Sequence, residues 1–316
     1  MAEKKITAIQ DLPGIGPTAS DKLIIAGYKS LETIAVASPG ELIEIAGLGE
    51  GTAEKAITAA RDALEMGYES AAKLAEKRRL VGKLTTGSQE IDTLIGGGIE
   101  TQSITEVYGK FASGKTQWCF QTAVTVQLPK EKGGLEGCCL YIDSENSFRP
   151  ERIVSIAEAQ GLNPEEVLEK IFVARAYNSD HQMLLAEKSE EIIKEKNIKL
   201  VIVDSLMAQF RAEFIGRGTL SVRQQKLNKH MRTLQKLAEV YNVALLVTNQ
   251  VMSRPDIMFG DPTAPVGRNV VAHASKTRLY LRKSKADKRV AKLVDSPSLP
   301  DGEAIYRVTN EGIIDV

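Results

Sequence analysis

The sequence has no run approaching the eighteen or so unbroken apolar residues that a membrane helix needs, which excludes a helical membrane protein. The opening stretch "MAEKKITAIQ" lacks the apolar core of a secretory signal, so a cytosolic protein is expected. Cysteine is scarce. The three present are an odd number, and neither Cys119 nor the adjacent Cys138 and Cys139 has zinc-ligand spacing, so buried structural thiols are expected. Net charge is absent as well. Forty-one basic residues balance 41 acidic ones, so an anionic partner has to be held by local patches. What is present is ordinary globular composition: 316 residues, 43% apolar and 26% charged, enough for two domains and against disorder.

Near the front, "PGIGPTASDKL" from Pro13 and "AGLGEGTAEKA" from Ala46 repeat at an offset of 33. Each is a tight glycine turn feeding a helix start, which predicts a small helical domain over residues 1–62. The Ala-, Glu- and Lys-rich stretch that follows is broken by "MGYES", where Gly67 is a candidate helix cap, and a linker is assigned to residues 63–84. From residue 85 to 316 the pattern changes. The runs "SITEVYG", "CCLYIDSE", "KLVIVDS" and "VALLVTNQ" alternate with helical stretches such as "RPERIVSIAEAQG" and "LNKHMRTLQKLAEVYN", which predicts a doubly wound, mostly parallel α/β sheet. "RLYLRKSK", "RVAKLVDS" and "EAIYRVTNEG" have no helices between them and predict an antiparallel extension.

The chemistry starts at "EVYGKFASGKTQ". Gly109, Lys110, Phe111, Ala112, Ser113, Gly114, Lys115 and Thr116 have the spacing of a phosphate-binding loop, between a strand-like run and a helix-like one that opens with Gln117. Backbone N–H groups can wrap phosphate oxygens there, Lys115 can reach the terminal phosphates of ATP, and the Thr116 hydroxyl can ligate Mg²⁺. Asp204 ends the apolar run "LVIVDS" and is the candidate acid on the metal side. Glu145, one strand earlier, is the candidate to orient the attacking water. Gln250, ending "LLVTNQ", can sense the terminal phosphate.

Taken with "LPGIGPTASDKL", "FRPERI", "ARAYNSDHQ", "GRGTLSVRQQKL" and "DSPSLPDGEAIYRVT", these residues make the chain resemble the archaeal RadA recombinases, relatives of bacterial RecA, over nearly its whole length. The resemblance implies a RecA-like fold and a DNA-dependent ATPase that polymerises as a helical filament on single-stranded DNA, searches double-stranded DNA for homology and exchanges strands. It assigns the phosphate loop to Gly109, Gly114, Lys115 and Thr116, the catalytic carboxylate to Glu145, the Mg²⁺-side acid to Asp204, adenine stacking to Arg152 and phosphate sensing to Gln250. ATP in this family lies between subunits. The resemblance therefore makes "DSPSLPD" a cap over the neighbour's nucleotide, with Pro300 on the adenine and Asp295 and Asp301 near the terminal phosphate, together with a monovalent cation such as K⁺.

For DNA, a mobile basic loop from Arg211 to Lys229 offers Arg217, Arg223 and Lys229, and the resemblance makes Arg217 and Arg223 part of the first DNA loop. The irregular "SRPDIMFGDPTAPVGRN" corresponds to the second, with Arg254, Val266 and Arg268 as candidates. The glycine turns at the front resemble helix-hairpin-helix motifs that bind duplex phosphates, and "GYESAAK" resembles the polymerisation motif, with Tyr68 and Ala71 as its anchors in a homo-oligomer. Mediator proteins are further partners the family implies. The sequence departs from the family pattern at three places: Asn146 after the catalytic glutamate, Arg268 where a second glycine is usual, and Lys276 where an uncharged residue is usual. Two rivals stay open at this point, a hexameric DNA helicase and an accessory paralogue that exchanges no strands.

Overall fold

The computed structural model describes residues 6–64, 66, 69–216, 218–253, 263–285 and 287–316. The chain divides into two compact units, Met1–Leu80 and Val81–Val316.

The first unit is helical: α1 Pro17–Ile25, α2 Leu31–Ala35, α3 Pro39–Ala46, α4 Glu50–Ala63 and α5 Ala71–Arg78. Its two glycine turns do the same job twice. Gly14 is left-handed at φ 77° and Gly16 precedes α1, whereas Gly47 is left-handed at φ 70° after α3 and Gly49 precedes α4. Leu23, Ile34, Leu42, Ala53 and Ile57 close a small core beneath them. Helix α4 stops at Leu64; Gly67, the cap expected from the sequence, lies outside the described residues.

The second unit runs β1 Lys83–Leu84, α6 Gln89–Leu94, β2 Ile99–Glu100, β3 Ser103–Gly109, α7 Lys115–Thr125, β4 Cys138–Asp143, α8 Pro150–Ala159, α9 Pro164–Glu169 and β5 Ile171–Arg175. It continues with α10 Ser179–Glu195, β6 Ile198–Asp204, α11 Ala208–Glu213, α12 Leu220–Tyr241, β7 Ala244–Ser253, β8 Thr263–Pro265 and α13 Arg268–Ala274. The antiparallel end is β9 Thr277–Lys283, β10 Lys288–Asp295, β11 Gly302–Thr309 and β12 Gly312–Asp315.

Strand order in the ten-stranded sheet is β12-β11-β10-β9-β3-β7-β6-β4-β5, with β8 on β7. Strands β9, β3, β7, β6, β4 and β5 are parallel, whereas β10, β11 and β12 are antiparallel. Two cores flank the sheet, one under α7 and α8 around Trp118, Phe120 and Ile153, the other under α10, α11 and α12 around Phe210, Leu227 and Met231. Burial on both faces explains why the central strands read as unbroken apolar runs. The carboxyl ends of β3, β4, β6 and β7 meet at one edge, the position where open α/β sheets hold ligands. Cys119 and Cys139 are buried and all three cysteines are free, with burial pushing their thiols up. Among the described residues no helix is long and apolar enough to cross a membrane.

Candidate nucleotide site and DNA-facing segments

Strand β3 ends at Gly109, where a β-carbon would lie 2.4 Å from the Leu281 carbonyl oxygen and 2.6 Å from Ser113 Oγ, so nothing larger than glycine fits. The loop then turns through left-handed Ala112 (φ 58°) and Gly114 (φ 109°) into α7. Arg289 Nη1 donates to the Ala112 carbonyl at 2.8 Å and ties the loop to β10. Lys115 Nζ donates to the loop's own carbonyls, Gly109 at 3.1 Å and Lys110 at 3.0 Å. Burial lowers the Lys115 pKa, and the carboxylates of Asp204 and Glu145 pull it back up. A phosphate would give this ammonium a charged partner in place of two neutral ones. The buried Ser113 Oγ has no hydrogen-bond partner in the protein, an unsatisfied group inside the cradle where phosphate oxygens would sit. Phe111 is 98% exposed at the rim.

Asp204 ends β6 buried under three hydroxyls. Tyr141 OH donates to Oδ2 at 2.8 Å, Thr248 Oγ1 donates to Oδ1, and the Thr116 side chain hydrogen-bonds it as well. Burial raises its pKa and these hydrogen bonds oppose the rise. Among the described residues no group of three or more His, Cys, Asp or Glu side chains gathers into a metal cage. The paired Thr116 hydroxyl and Asp204 carboxylate are hard oxygen donors that fit Mg²⁺ on a nucleotide, which takes one or two protein groups and fills its remaining positions with phosphate and water oxygens. Thr116 and Asp204 would hold it.

Glu145 is presented by a turn built on Asp143, whose carboxylate accepts the N–H groups of Glu145 and Ser147 at 3.1 Å each and of Phe148 at 3.0 Å. The turn needs a left-handed residue, and Asn146 supplies it at φ 56°, so asparagine keeps the geometry at this departure from the family pattern. Glu145 Oε1 accepts from Ser205 Oγ and, at 3.1 Å, from Gln250 Nε2. Gln250 Oε1 accepts from Arg211 Nη1 at 3.0 Å. Gln250 is not a strand end, as its place in "LLVTNQ" suggested: β7 runs on to Ser253, and Gln250 pairs in register with Gly109. Arg152 is held from three sides, with Nε to Gln117 Oε1 at 2.8 Å and Nη1 and Nη2 to the Asn310 and Thr309 carbonyls at 2.6 Å. Burial lowers its pKa.

The structure thus brings together the phosphate loop, Thr116, Gln117, Arg152, Glu145, Asp204 and Gln250. Asp295, Pro300 and Asp301 are elsewhere. Asp295 pairs with Arg278, which pairs with Glu106, three residues back from Gly109. That register sets Asp295 about 10 Å down the strands and two strand spacings of about 5 Å aside, and Pro300 and Asp301 lie in the turn beyond it.

The segments expected to meet DNA differ in structure from the expectation. The predicted mobile loop from Arg211 to Lys229 is mostly helical: Arg211 lies in α11, whereas Arg223 and Lys229 lie in α12, with Lys229 Nζ 3.2 Å from Glu187. From Leu220 onward no glycine or proline interrupts, and Leu227, Met231 and Leu234 recur at helical spacing into the core. Arg217 and Arg254 lie outside the described residues, as does Tyr68. Ala71 opens α5, exposed behind Ser70 as N-cap. Val266, offered as a base contact, is only 2% exposed. Its N–H donates to the Gln250 carbonyl at 3.0 Å, its carbonyl accepts from Asn249 Nδ2 at 2.6 Å, and its side chain packs in the core. Arg268 opens α13, and its side chain is outside the described set. Lys276 immediately precedes β9, at the end of the sheet away from Gly109, and its Nζ lies 3.3 Å from Glu100.

Sequence reasoning missed Asp143, Tyr141, Ser205, Thr248 and Arg211, which hydrogen-bond Asp204, Glu145 or Gln250. Only Asp143 carried a local signal, an acid two residues before the glutamate at a strand end. Two family models match the chain, Rad51 over residues 77–316 and the SAM-like helix-hairpin-helix tandem over residues 6–62.

Proposed function

The chain belongs to the Rad51 family, with a RecA-like fold and an N-terminal helix-hairpin-helix region, and from that premise we propose that it is an ATP-dependent recombinase of the archaeal RadA kind. It polymerises on single-stranded DNA and pairs that strand with a homologous duplex. The observation that carries this reading is the line Ser205–Glu145–Gln250 beside the phosphate loop, since it joins a candidate base to a candidate phosphate sensor in one hydrogen-bonded unit.

In this reading Lys115 and the loop N–H groups bind the phosphates of ATP, and Arg152, fixed by its three partners, faces the adenine. Mg²⁺, held through Thr116 with Asp204 behind it, would neutralise charge on the phosphate oxygens. Glu145 orients the attacking water and accepts its proton. The remoteness of Asp295, Pro300 and Asp301 from their own loop supports their acting on a neighbour's nucleotide, with K⁺ beside the two acids. Head-to-tail growth then follows, because a heterologous contact that does not close makes a filament. Strand β5 supports this too, as an edge strand with Val173 45% exposed and Tyr177 following at 67%, a surface for Tyr68 and Ala71 of the next subunit. DNA contacts come from Arg217, Arg223, Lys229, Arg254 and Arg268 on the strand in the filament, and from the glycine turns on the incoming duplex.

The test is Glu145→Gln, which keeps size and hydrogen bonding but cannot take a proton. ATP-dependent filaments on single-stranded DNA should persist by electron microscopy while ATP turnover falls at least about 100-fold. Turnover within threefold of wild type would remove Glu145 from the reaction.

A further inference from the structure

Three consecutive glycines follow α6, Gly96, Gly97 and Gly98, and all are left-handed, at φ 77°, 112° and 126°. A β-carbon on Gly98 would lie 2.5 Å from the Leu84 carbonyl oxygen and one on Gly97 3.2 Å from Lys83 Cδ, so both close the turn against β1. Gly96 is different. Its β-carbon would lie 3.3 and 3.4 Å from the two methyl carbons of Leu299, so a bare α-carbon is the floor on which that side chain rests. The floor is pinned from two sides: Lys83 Nζ donates to the Gly96 carbonyl, and Gly97 N donates to the Asp92 carbonyl at 2.6 Å.

Leu299 belongs to the turn 296–301 between β10 and β11. Pro297, Ser298, Pro300 and Asp301 are exposed, whereas Leu299 is half-buried and packs, as Leu94 does, against the core under α7 and α8. Gly302 follows with no room for a β-carbon either, since Leu94 Cδ1 would lie 2.8 Å from it. Leu299 thus seats a largely exposed turn, and the two residues directly after it are ones assigned above to a neighbour's nucleotide.

We propose that Leu299, seated on Gly96, is a positioning residue that sets Pro300 and Asp301 for the nucleotide of the adjoining subunit, so that an apolar contact inside one subunit fixes the ATP affinity of the next. This rests on the reading that the turn acts on a neighbour. With the leucine seated, the turn is ordered before ATP arrives. Without it, the cost of ordering those residues falls on binding, while the groups that carry out hydrolysis stay in place.

The experiment titrates ATP against turnover of the full chain on saturating oligo(dT), for wild type, Leu299→Ala, Leu299→Met, Gly96→Ala and Asp301→Ala. Leu299→Ala should raise KM for ATP about tenfold and leave kcat within twofold. Methionine conserves the volume, so Leu299→Met should stay within twofold of wild type in both. Gly96→Ala puts a methyl group under Leu299 and should raise KM in the same direction. Each raised variant is then mixed with an excess of Lys115→Ala, which carries an intact turn on a disabled phosphate loop. At ATP well below the variant's KM, turnover per Leu299→Ala subunit should rise on the order of fivefold, because its loop now faces a seated turn. A wild-type KM in Leu299→Ala would overturn the proposal, as would a raised KM that the mixture relieves for Asp301→Ala but not for Leu299→Ala. If Leu299→Ala fails to fold, Gly96→Ala decides by the same mixture. No relief for Asp301→Ala either would sink the reading that the turn acts on a neighbour, and the proposal with it.

Discussion

His230 should make the second unit sensitive to mild acid, and the effect can be worked out from its surroundings. The imidazole lies on α12, 1% exposed, with Nε2 3.2 Å from Gln182 Nε2 and its ring 5.9 Å from that of Phe210. Gln182 Nε2 also donates to the Leu206 carbonyl at 3.0 Å, so Nε2 of the histidine is the acceptor and the ring is neutral. Burial pushes its pKa down from 6.5 to about 4. Between those two values the unfolded chain binds a proton that the folded chain refuses. Stability is therefore full above pH 6.5, falls as pH drops, and levels off below pH 4. At pH 4.5 the loss attributable to this one group is about 2.5 kcal/mol, at 1.36 kcal/mol per unit. That is a large share of a typical stability of about 5–15 kcal/mol. The assay is urea unfolding at pH 7.5 and pH 4.5 for wild type and His230→Phe. Trp118 is the one tryptophan in the sequence and is fully buried in the second unit, so its fluorescence follows that unit alone. The variant should lose about 2.5 kcal/mol less than wild type between the two pH values, whatever its absolute stability. Equal losses, within about 0.5 kcal/mol, would refute the buried neutral histidine.

Two other outcomes follow from local geometry. Ala112 pays the left-handed penalty at φ 58° while giving its carbonyl to Arg289, so Ala112→Gly should keep that bond and raise stability by a few tenths to about 1 kcal/mol in the same urea assay; a loss would mean the methyl group packs usefully in the loop. Lys276 is paired with Glu100 away from the site, so Lys276→Thr should leave the salt slope of DNA binding unchanged, whereas a slope lower by about one would make it a phosphate contact.

The phosphate loop was legible because its chemistry is local: Gly109, Gly114, Lys115 and Thr116 stand in one short stretch, and glycine is required where the Leu281 carbonyl crowds the chain. The central strands were legible for a related reason, since burial on both faces leaves an unmistakable apolar run. Strand β5 was not, because "IFVAR" is an edge strand with exposed positions at every second residue. The first basic loop was drawn too long, since Leu227, Met231 and Leu234 already carry a helical period. What no local pattern could give was the line from Arg211 through Gln250 and Glu145 to Ser205. Those four residues come from α11, β7, the turn after β4 and the end of β6, and only the order of strands in the sheet makes them neighbours. Val266 shows the converse: an apolar residue among prolines and glycines looked available to a base, and only the fold shows it packed in the core beside Leu227 and Val271 and hydrogen-bonded to Gln250 and Asn249.

The most direct test of the central claim is joint-molecule formation between a single strand and a supercoiled duplex, with ATP and Mg²⁺, comparing homologous with heterologous pairs. A recombinase gives joints with the homologous duplex alone. Absence of joints, with ATP-driven unwinding of a forked duplex or with DNA binding and nothing more, would contradict it and make the chain a helicase or an accessory paralogue.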